Sequence, residues 1–449
     1  MKYVDSLADY VNFLSVVKNK KIVILPTFAN HEIHYIRNKA SLLFVRIIET
    51  SEDFVIGITH PDLFSISIEQ FNKIEPSEIW TSDQKRLRSI MKCHTINDIG
   101  MLYYLLNNKP PELILDAPIH LYYYRQCSLF TDINNIIPVS KHVELHQTNI
   151  IEIHRIIKDF SVPQSFFVYR QFLETAYKLE STGLLIDPVL FKTFYADVGS
   201  HIFSDNHVYS EYNFYTAAGR PSNRYGNINF AAIDTKNGVR RAFIPRNGNF
   251  FLFDFDSFHL NLIAKIIGYK FESDSIHKYL GKYYYDKEEL TNDEYAEVKK
   301  LNFKYLYGGI PKYIRDTIPF FAQVHKFTYD MWRAINDVGY YESPLTKRRI
   351  YIKHITNSNP MKLLNYFVQL IETETTFVII DKLQKYLLNF KTNLVLYTYD
   401  SFLLDYSESD GIECIRGIKN ILAVFPTKIY FGKTYHDLID VTEELMTKI

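Results

Sequence analysis

Three short apolar runs near the N-terminus have the composition of β-strands. They cover residues 21–26, 42–48 and 53–58, and they are rich in β-branched and aromatic residues. A helical repeat of apolar positions follows at about residues 95–107. This order predicts a small α/β domain that ends near residue 155.

The middle of the chain changes from helical to strand periodicity. Residues 164–185 predict a helix that is closed by Gly183. Residues 249–254 (NFFLFD) predict a strand, which runs directly into the amphipathic helical sequence SFHLNLIAKIIG. The chain therefore places Asp254 at the junction between an apolar strand and a helix.

Two further helices are predicted in the C-terminal half. Residues 291–308 have helical periodicity, with the capping-box pair Thr291 and Glu294 at the start and two glycines at the end. A long helix is predicted at about residues 361–389. The strands 394–399 and 402–406 follow, and the turn between them predicts a β-hairpin with Asp400 at its tip.

Length and composition are those of an ordinary globular protein. The chain has 449 residues, which suggests two or three domains, and 47% of them are hydrophobic and 23% charged. The N-terminus has no apolar signal core, and no apolar run is long enough to span a bilayer. Cys93, Cys127 and Cys414 lack the spacing of a disulfide framework or a zinc site. We expect a soluble, cytoplasmic monomer without a membrane partner.

The net charge is zero, so a nucleic-acid-binding surface would have to be local. Residues 219–249 contain a cluster of basic side chains with Asp234 as the single acidic one. The basic residues are Arg220, Arg224, Lys236, Arg240, Arg241 and Arg246. This segment is a candidate electropositive patch, and a solvated loop is the alternative interpretation.

Asp254 and Asp400 are the strongest candidates for chemistry. Each follows an apolar strand, where an isolated carboxylate would be costly to bury. Two such carboxylates brought together would suit hard divalent cations, and a pair of these can promote an in-line displacement at phosphorus. The alternative is that each Asp caps a turn or helix. Asp256 and Asp405 are nearby candidates.

The helix 291–308 has a face that combines aromatic rings with one cation. Tyr295, Lys299, Phe303 and Tyr307 follow one another at intervals of four residues. A lysine among rings could hold a triphosphate beside a stacking surface. The alternative is a stripe of core residues with a lysine that extends to solvent, and the spacing does not decide between them.

The order of these segments resembles that of a known enzyme family. The segments are YTAAGRPSNRYGNINF (215–230), RRAFIP (240–245), FLFDFDSFHLNLIAKI (251–266), YAEVKKLNFKYLYGG (295–309), NYFVQLIETE (365–374) and TYDS (398–401). In this order they resemble the motifs of the DNA polymerase I family, family A. The resemblance covers about residues 165–440; single motifs are weak, and the ordered set is specific.

The resemblance implies a multidomain α+β and α/β fold of the right-hand polymerase type. It implies a ribonuclease-H-like, exonuclease-type domain in residues 1–155, and a linker with a reduced thumb in residues 156–214. The palm and fingers would be residues 215–449, with the fingers at about 268–345. The short thumb suggests a compact, phage-like member.

The resemblance also assigns roles to individual residues. Asp254 and Asp400, with the main-chain carbonyl of Phe255, would bind two Mg²⁺ ions, with Mn²⁺ as the alternative. Lys299 would contact the triphosphate of the dNTP and protonate the leaving pyrophosphate. Finger residue His277 would also contact the phosphates.

Further residues would contact the sugar, the base and the DNA. Phe303 and Tyr307 would pack against the incoming nucleotide, and His259 stands where the family has the glutamate that excludes the ribose 2′-hydroxyl. The expected primer–template contacts are Arg220, Asn229, Arg240, Arg241 and Gln369. Minor-groove contacts of this kind suit a polymerase, because the acceptors there are nearly the same for every base pair.

Three departures from the family pattern change the expected function. His259 and Tyr295, which replaces an arginine, predict weaker dNTP binding. Only about 27 residues (188–214) stand in place of the thumb, which predicts low processivity or a partner that supplies it. Residues 1–155 contain no DxE pair, and Asp98 and Asp116 remain as isolated acidic residues, so we expect no proofreading.

Two other functions remain open from the sequence. Since His259 replaces the sugar-selecting glutamate, one alternative is a single-subunit RNA polymerase or a sugar-tolerant polymerase. The other is a non-catalytic replication subunit that binds primer–template, which would have no need of Asp254 and Asp400.

Overall fold

The computed structural model describes residues 1–28, 33–92, 94–109, 138–199, 202–203, 205–273 and 275–448. Cys93, Asp116 and Cys127 lie outside these residues. The chain divides into two compact units. Unit 1 contains Met1–Ser181 and Val198–Tyr209, and unit 2 contains Thr182–Asp197 and Ser210–Ile449. No helix in the described part of the chain is long and apolar enough to cross a membrane.

The N-terminal elements are a mixture of strands and helices. In chain order they are β1 Lys2–Val4, α1 Leu7–Val17, β2 Lys21–Phe28, β3 Ala40–Ile47, β4 Asp53–Gly57, α2 Ile68–Phe71, β5 Glu78–Thr81, α3 Gln84–Arg88, β6 Ile96–Asp98, α4 Ile99–Asn107, α5 Val139–Asp159 and α6 Gln164–Thr182.

The elements that follow α6 include the longest helix described. In chain order they are β7 Leu184–Leu185, α7 Pro188–Phe194, β8 His207–Val208, β9 Tyr212–Asn213, β10 Ser222–Tyr225, β11 Ile228–Asn229, β12 Gly248–Phe255, α8 Phe258–Ile267, α9 Ile276–Tyr285, α10 Asn292–Gly308, α11 Lys312–Thr317, α12 Pro319–Val338, β13 Tyr340–Glu342, β14 Arg349–Tyr351, α13 Pro360–Leu387, β15 Asn393–Thr398, β16 Ser401–Ser407, α14 Gly411–Leu422, β17 Thr427–Gly432, β18 Ile439–Asp440 and α15 Thr442–Lys448.

Unit 1 is built on a six-stranded mixed sheet. The strand order is β1-β4-β3-β2-β5-β6. Strands β2, β3 and β4 form an antiparallel meander, whereas β5 and β6 continue parallel to β2. Every residue of β3 is buried, as expected for a continuous apolar strand inside a sheet covered on both faces. The three N-terminal strands predicted from sequence are therefore confirmed.

The predicted helix at 95–107 begins later than expected. Residues 96–98 form β6, because they pair with β5, and the helix α4 starts at Ile99. Asp98 is its N-cap, with one carboxylate oxygen accepting the backbone N–H of Met101 at 2.7 Å. The other oxygen accepts the backbone N–H of Gln84 at 2.6 Å. Asp98 therefore has a structural role in joining α3 to α4.

Unit 2 is built on a five-stranded antiparallel sheet with the order β15-β16-β12-β17-β18. The predicted strand 249–254 is the central strand β12, and the predicted hairpin is β15–β16. The predicted capping box of Thr291 and Glu294 is present at the start of α10. Gly309 follows this helix with φ +108°, a backbone conformation that residues with a side chain rarely adopt.

Gly219 lies where both its backbone and its surroundings exclude a side chain. Its φ is +79°, and a Cβ atom there would overlap Nη1 of Arg348, whose side chain is fully buried. Because Arg348 is enclosed, it cannot move aside as an exposed arginine would. We expect Gly219→Ala to lower the free energy of unfolding by about 2 kcal/mol or more.

The matched control is Gly268→Ala. Gly268 also has a positive φ, +71°, but no atom lies within 4 Å of a Cβ built there. The substitution should therefore lower the free energy of unfolding only by the cost of placing alanine at a positive φ, about 1 kcal/mol. Urea titrations of both variants measure the difference, and equal losses would show that Arg348 does not restrict this position.

Candidate active site

The two predicted aspartates lie at the same end of the unit 2 sheet. Asp254 is near the end of the central strand β12 and pairs in register with Ser401 on β16. Asp400 lies in the turn of the hairpin, and its carbonyl oxygen accepts a 2.9 Å hydrogen bond from the N–H of Phe255. Antiparallel pairing therefore makes neighbours of two residues that are far apart in sequence.

Asp254 and Asp400 line one cavity of about 430 Å³. Its wall also includes Arg240, Tyr435 and His436, all from unit 2. The two carboxylates thus face a common space, and neither is directed into the apolar core. The alternative that each only caps a turn does not account for this convergence.

The surroundings of both carboxylates raise their pKa values and so favour the protonated forms. Burial raises the pKa of Asp254 to about 7, and the charges of Asp400 and Asp256 add to the rise, while Lys299 and Lys428 oppose it. For Asp400, burial and then the charge of Glu372 raise the pKa. Two carboxylates that act on each other electrostatically cannot both ionise cheaply, so a cation between them would stabilise both.

The donor set fits a hard divalent cation such as Mg²⁺, which prefers carboxylate and carbonyl oxygens. Asp254 and Asp400 supply the carboxylates. Within the residues that the structure describes, no group of three or more His, Cys, Asp and Glu side chains could hold a metal ion. The protein would therefore provide two carboxylates and main-chain oxygen, with the remaining ligands from substrate or water. Phe255, whose carbonyl is the predicted third ligand, has its ring buried against Phe258 and Phe402.

The predicted aromatic face of α10 is directed away from the core. The core-facing residues of this helix are Val298, Asn302, Tyr305 and Leu306. By contrast Phe303 is 39% exposed and its ring stacks on that of Tyr307, at 6.3 Å between centroids and 9° between planes. Lys299 lies over the ring of Tyr295 at 5.5 Å. None of the four residues of this face is buried, which favours a partly exposed face over a stripe of core residues.

His277 lies behind this face. It is 1% exposed, its Nδ1 is 2.8 Å from the Nδ2 of Asn302, and its ring contacts those of Tyr295 and Phe303. Burial, and next the charge of Lys299, lower the pKa of His277 to about 4, so the ring is neutral at pH 7. A neutral, enclosed imidazole supports the helix in this state, and its predicted phosphate contact stays a prediction.

Glu372 is not among the residues predicted from the sequence. It lies at the centre of a buried polar network. Its carboxylate accepts a 3.0 Å hydrogen bond from Arg220 and lies 2.9 Å from Nε2 of His259. Nδ1 of His259 contacts the hydroxyl of Tyr307. The signal in the sequence was two acidic residues, Glu372 and Glu374, within a helical pattern rich in apolar residues, which does not identify the partners of either.

Lys428 is a second residue near the site that the sequence did not predict. It pairs in register with Asp254 on the neighbouring strand β17, and its Nζ lies 3.6 Å from the carboxylate of Asp256. Its side chain is 35% exposed. Lys428 therefore places a second cation beside Lys299 near the paired aspartates.

The predicted DNA-contacting residues have different surroundings. Arg240 lines the cavity and lies over the ring of Tyr435, and Arg241 is exposed. The guanidinium of Arg220 donates a hydrogen bond to Glu372, so in this state it makes a contact within the protein. Asn229 is partly exposed in β11, and the side-chain amide of Gln369 donates to Asn365 at 2.7 Å. Contacts of these residues with DNA stay predictions.

A solved structure with the same arrangement of elements is the POL domain of Pol1 from M. smegmatis, in complex with DNA primer-template and dNTP. The TM-score is 0.76, over 97% of this chain and 99% of that chain, at 12% sequence identity. This chain has that fold. No protein-family model matches the sequence, and no curated protein matches it.

The polymerase-domain fold confirms the predicted multidomain α/β class. It does not assign the domain boundaries, so the limits 1–155, 156–214 and 215–449 stay predictions, as does the exonuclease-like character of the first of these. Within this fold, the cavity lined by Asp254 and Asp400 is the candidate active site.

The raised pKa of Asp254 predicts how stability depends on pH in the metal-free polymerase fold. In the unfolded chain the group ionises near 3.8, whereas in the folded protein it ionises near 7. The folded state therefore prefers the protonated form, and its stability falls as the pH rises from 4 to 7. Asp254→Asn removes the ionisation, so the variant should be more stable than the wild type at pH 8 by on the order of 1–2 kcal/mol.

Thermal unfolding in EDTA at pH 4.5 and pH 8 measures this effect. The advantage of Asp254→Asn should be much smaller at the lower pH, which is close to the pKa of this carboxyl in the unfolded chain, 3.8. An equal difference at the two pH values would contradict the shifted ionisation.

Proposed function

We propose that this chain is a template-directed, DNA-dependent DNA polymerase that adds dNTPs to the 3′-hydroxyl of a primer. The proposal depends on one observation, that Asp254 and Asp400 meet in a single cavity at the end of the unit 2 sheet. The fold adds support, because the similar solved structure is a polymerase domain described with primer-template DNA and dNTP.

In the proposed reaction the primer 3′-oxygen forms a bond to the α-phosphorus of the dNTP, and pyrophosphate leaves. Asp254, Asp400 and the carbonyl of Phe255 would hold the divalent ions, which when bound would supply positive charge at the attacking and leaving oxygens. Lys299, which acts electrostatically on Asp254, neutralises charge on the pyrophosphate and protonates it. The stacked rings of Phe303 and Tyr307 offer a surface for the nucleotide.

Lys428 replaces part of the positive charge that is lost because Tyr295 stands where the resemblance places an arginine. The resemblance places an arginine at position 295, and its loss predicts weaker dNTP binding. Lys428 acts electrostatically on Tyr295 and on His277, so its cation lies near the end of α10 where that arginine would be. The proposed phosphate contacts are therefore Lys299 from the helix and Lys428 from the sheet.

Primer extension tests the proposal. A labelled primer annealed to a longer template should be extended in the presence of Mg²⁺ and all four dNTPs, and the product length should follow the template. A sugar-tolerant or RNA polymerase, which His259 would favour, is separated by the same assay with rNTPs. A replication subunit without catalysis would bind the primer–template and leave its length unchanged.

The prediction that the protein does not proofread rests on the absence of a DxE pair in residues 1–155, and two carboxylates of unit 1 are paired with cations. Lys85, Arg86 and Arg88 on α3 are all buried. Lys85 and Arg86 bind Glu180 and Asp83, at 2.7 and 2.6 Å, so these carboxylates are already neutralised by cations. A two-metal nuclease needs carboxylates that face metal ions instead.

We therefore expect no shortening of a primer with a mismatched 3′ end. The measurement uses a 5′-labelled primer with Mg²⁺ or Mn²⁺, without dNTPs and with pyrophosphatase present to prevent the reverse of polymerisation. Stepwise loss of 3′ nucleotides would contradict the prediction and place a nuclease site in unit 1.

The segment proposed as a reduced thumb is short. Between residues 188 and 214 the described residues include the seven-residue helix α7 and short strands. A long helical hairpin that grips duplex phosphates would add most of the non-specific affinity for DNA. The proposed polymerase therefore releases its primer early, or acts with a processivity partner.

A further inference from the structure

Glu372 is a buried carboxylate that binds groups on two sides. It lies in the middle of α13 and has no exposed surface. On one side its Oε1 accepts a 3.0 Å hydrogen bond from Nη2 of Arg220. On the other side its Oε2 lies 2.9 Å from Nε2 of His259, on α8. A buried carboxylate is costly unless its partners stay in place, so these side chains fix one another.

The His259 side of this network reaches the aromatic face of α10. An ionised carboxylate can only accept, so Nε2 of His259 carries the proton that Glu372 binds. When the imidazole is neutral, Nδ1 is then an acceptor to which the neighbouring hydroxyl of Tyr307 can donate. Glu372 therefore selects the His259 tautomer that holds Tyr307, a ring on the proposed nucleotide-binding face.

The Arg220 side of the network ends beside Asp400. The guanidinium carbon of Arg220 lies 3.5 Å from the centre of the Tyr399 ring, a stacked cation–π contact. Tyr399 has φ +59°, a left-handed conformation that residues with a bulky side chain rarely adopt and that persists only where the surroundings hold it. Asp400 is the next residue of the same turn, and Arg220 lies close enough to act electrostatically on its carboxylate.

We propose that Glu372 is a positioning residue that couples Tyr307, which faces the nucleotide, to Asp400, which faces the cation. This inference rests on the function proposed above. One carboxylate orients both His259 and Arg220, so a shift of either partner alters the hold on the other. Nucleotide binding and cation binding therefore favour each other through Glu372, and the coupling is reciprocal.

Four variants separate the two sides of the network. Glu372→Gln keeps the shape of the side chain and removes its charge. Arg220→Lys keeps the charge and loses the planar stack on Tyr399, while Tyr307→Phe removes only the hydroxyl that binds His259. Glu374→Gln is the control, since Glu374 lies on the same helix, is 1% exposed and accepts from Ser343 and Thr346.

Two measurements are made on each variant after its fold is checked by circular dichroism. Calorimetric titration with Mn²⁺ gives the affinity of the nucleotide-free protein for the cation. Primer extension gives the ratio of kcat/KM for a dNTP to that for the matching rNTP. The calorimetric arm needs no catalysis, so an absence of extension by the wild type would refute the proposed function without deciding the coupling.

We expect Glu372→Gln to weaken Mn²⁺ binding and to reduce sugar discrimination, each by roughly fivefold or more. Arg220→Lys should weaken chiefly Mn²⁺ binding, Tyr307→Phe should reduce chiefly discrimination, and Glu374→Gln should change neither. The proposal is overturned if Glu372→Gln leaves Mn²⁺ affinity unchanged, or if Glu374→Gln produces the same changes, which would indicate a purely structural role.

Discussion

Replacing Asp254 with Asn should reduce the rate of primer extension roughly 10³-fold or more, and replacing Asp400 with Asn should do the same. Each substitution keeps the shape of the side chain and removes the negative charge that would hold a divalent cation. Since both carboxylates line the same cavity, neither could hold the ions alone. Single-turnover extension by wild type and variants, at saturating Mg²⁺ and dNTP, measures the loss.

A loss of activity through misfolding is separated from a loss of chemistry by two observations. Asp254→Asn should be more stable than the wild type at pH 8, so its inactivity could not come from unfolding. It should also bind primer–template DNA as tightly as the wild type, because the basic residues are unchanged.

Asp405→Asn is the matched control for the hairpin. Asp405 is a buried carboxylate on strand β16 of the hairpin, but it accepts the backbone N–H groups of Arg246 and Asn247, at 2.9 Å each, and does not line the cavity. This variant should lose stability and keep its activity per folded molecule. If Asp405→Asn were as inactive as Asp254→Asn, the catalytic assignment of the cavity would have to be abandoned.

Lys299→Met is the second substitution with a large expected effect. Lys299 is partly exposed on α10, beside Tyr295, and lies close enough to Asp254 to lower its pKa. Its charge would stabilise the pyrophosphate more strongly as the bond to phosphorus breaks, so the loss should appear in kcat as well as in KM. We expect kcat to fall by roughly 10²-fold, measured over a range of dNTP concentrations.

Lys300→Met provides the control for charge and helix propensity. Lys300 is the adjacent residue, is exposed, and points away from the face that contains Lys299. Its removal should change neither kcat nor the KM for dNTP by more than about twofold. An equal effect of the two substitutions would mean that the helix contributes only general positive charge.

Local patterns in the sequence predicted most of the elements that position the site. The apolar alternation of residues 249–254 and the hairpin around Asp400 required only periodicity and turn chemistry, and both are present in the structure. The capping box of α10 was likewise visible, because its two residues are three positions apart. The start of α4 was misjudged, since residues 96–98 pair with a strand that local periodicity does not reveal.

The sequence by itself indicated which residues are candidates for the chemistry, since Asp254 and Asp400 stand at the ends of predicted strands and the ordered motifs single out Lys299. Only the tertiary structure decided what surrounds them. Glu372 and Lys428 reach the site from a separate helix and strand, through a buried network and a cross-strand pairing that join positions far apart in the chain. Such contacts depend on how the elements pack, and no local pattern encodes them.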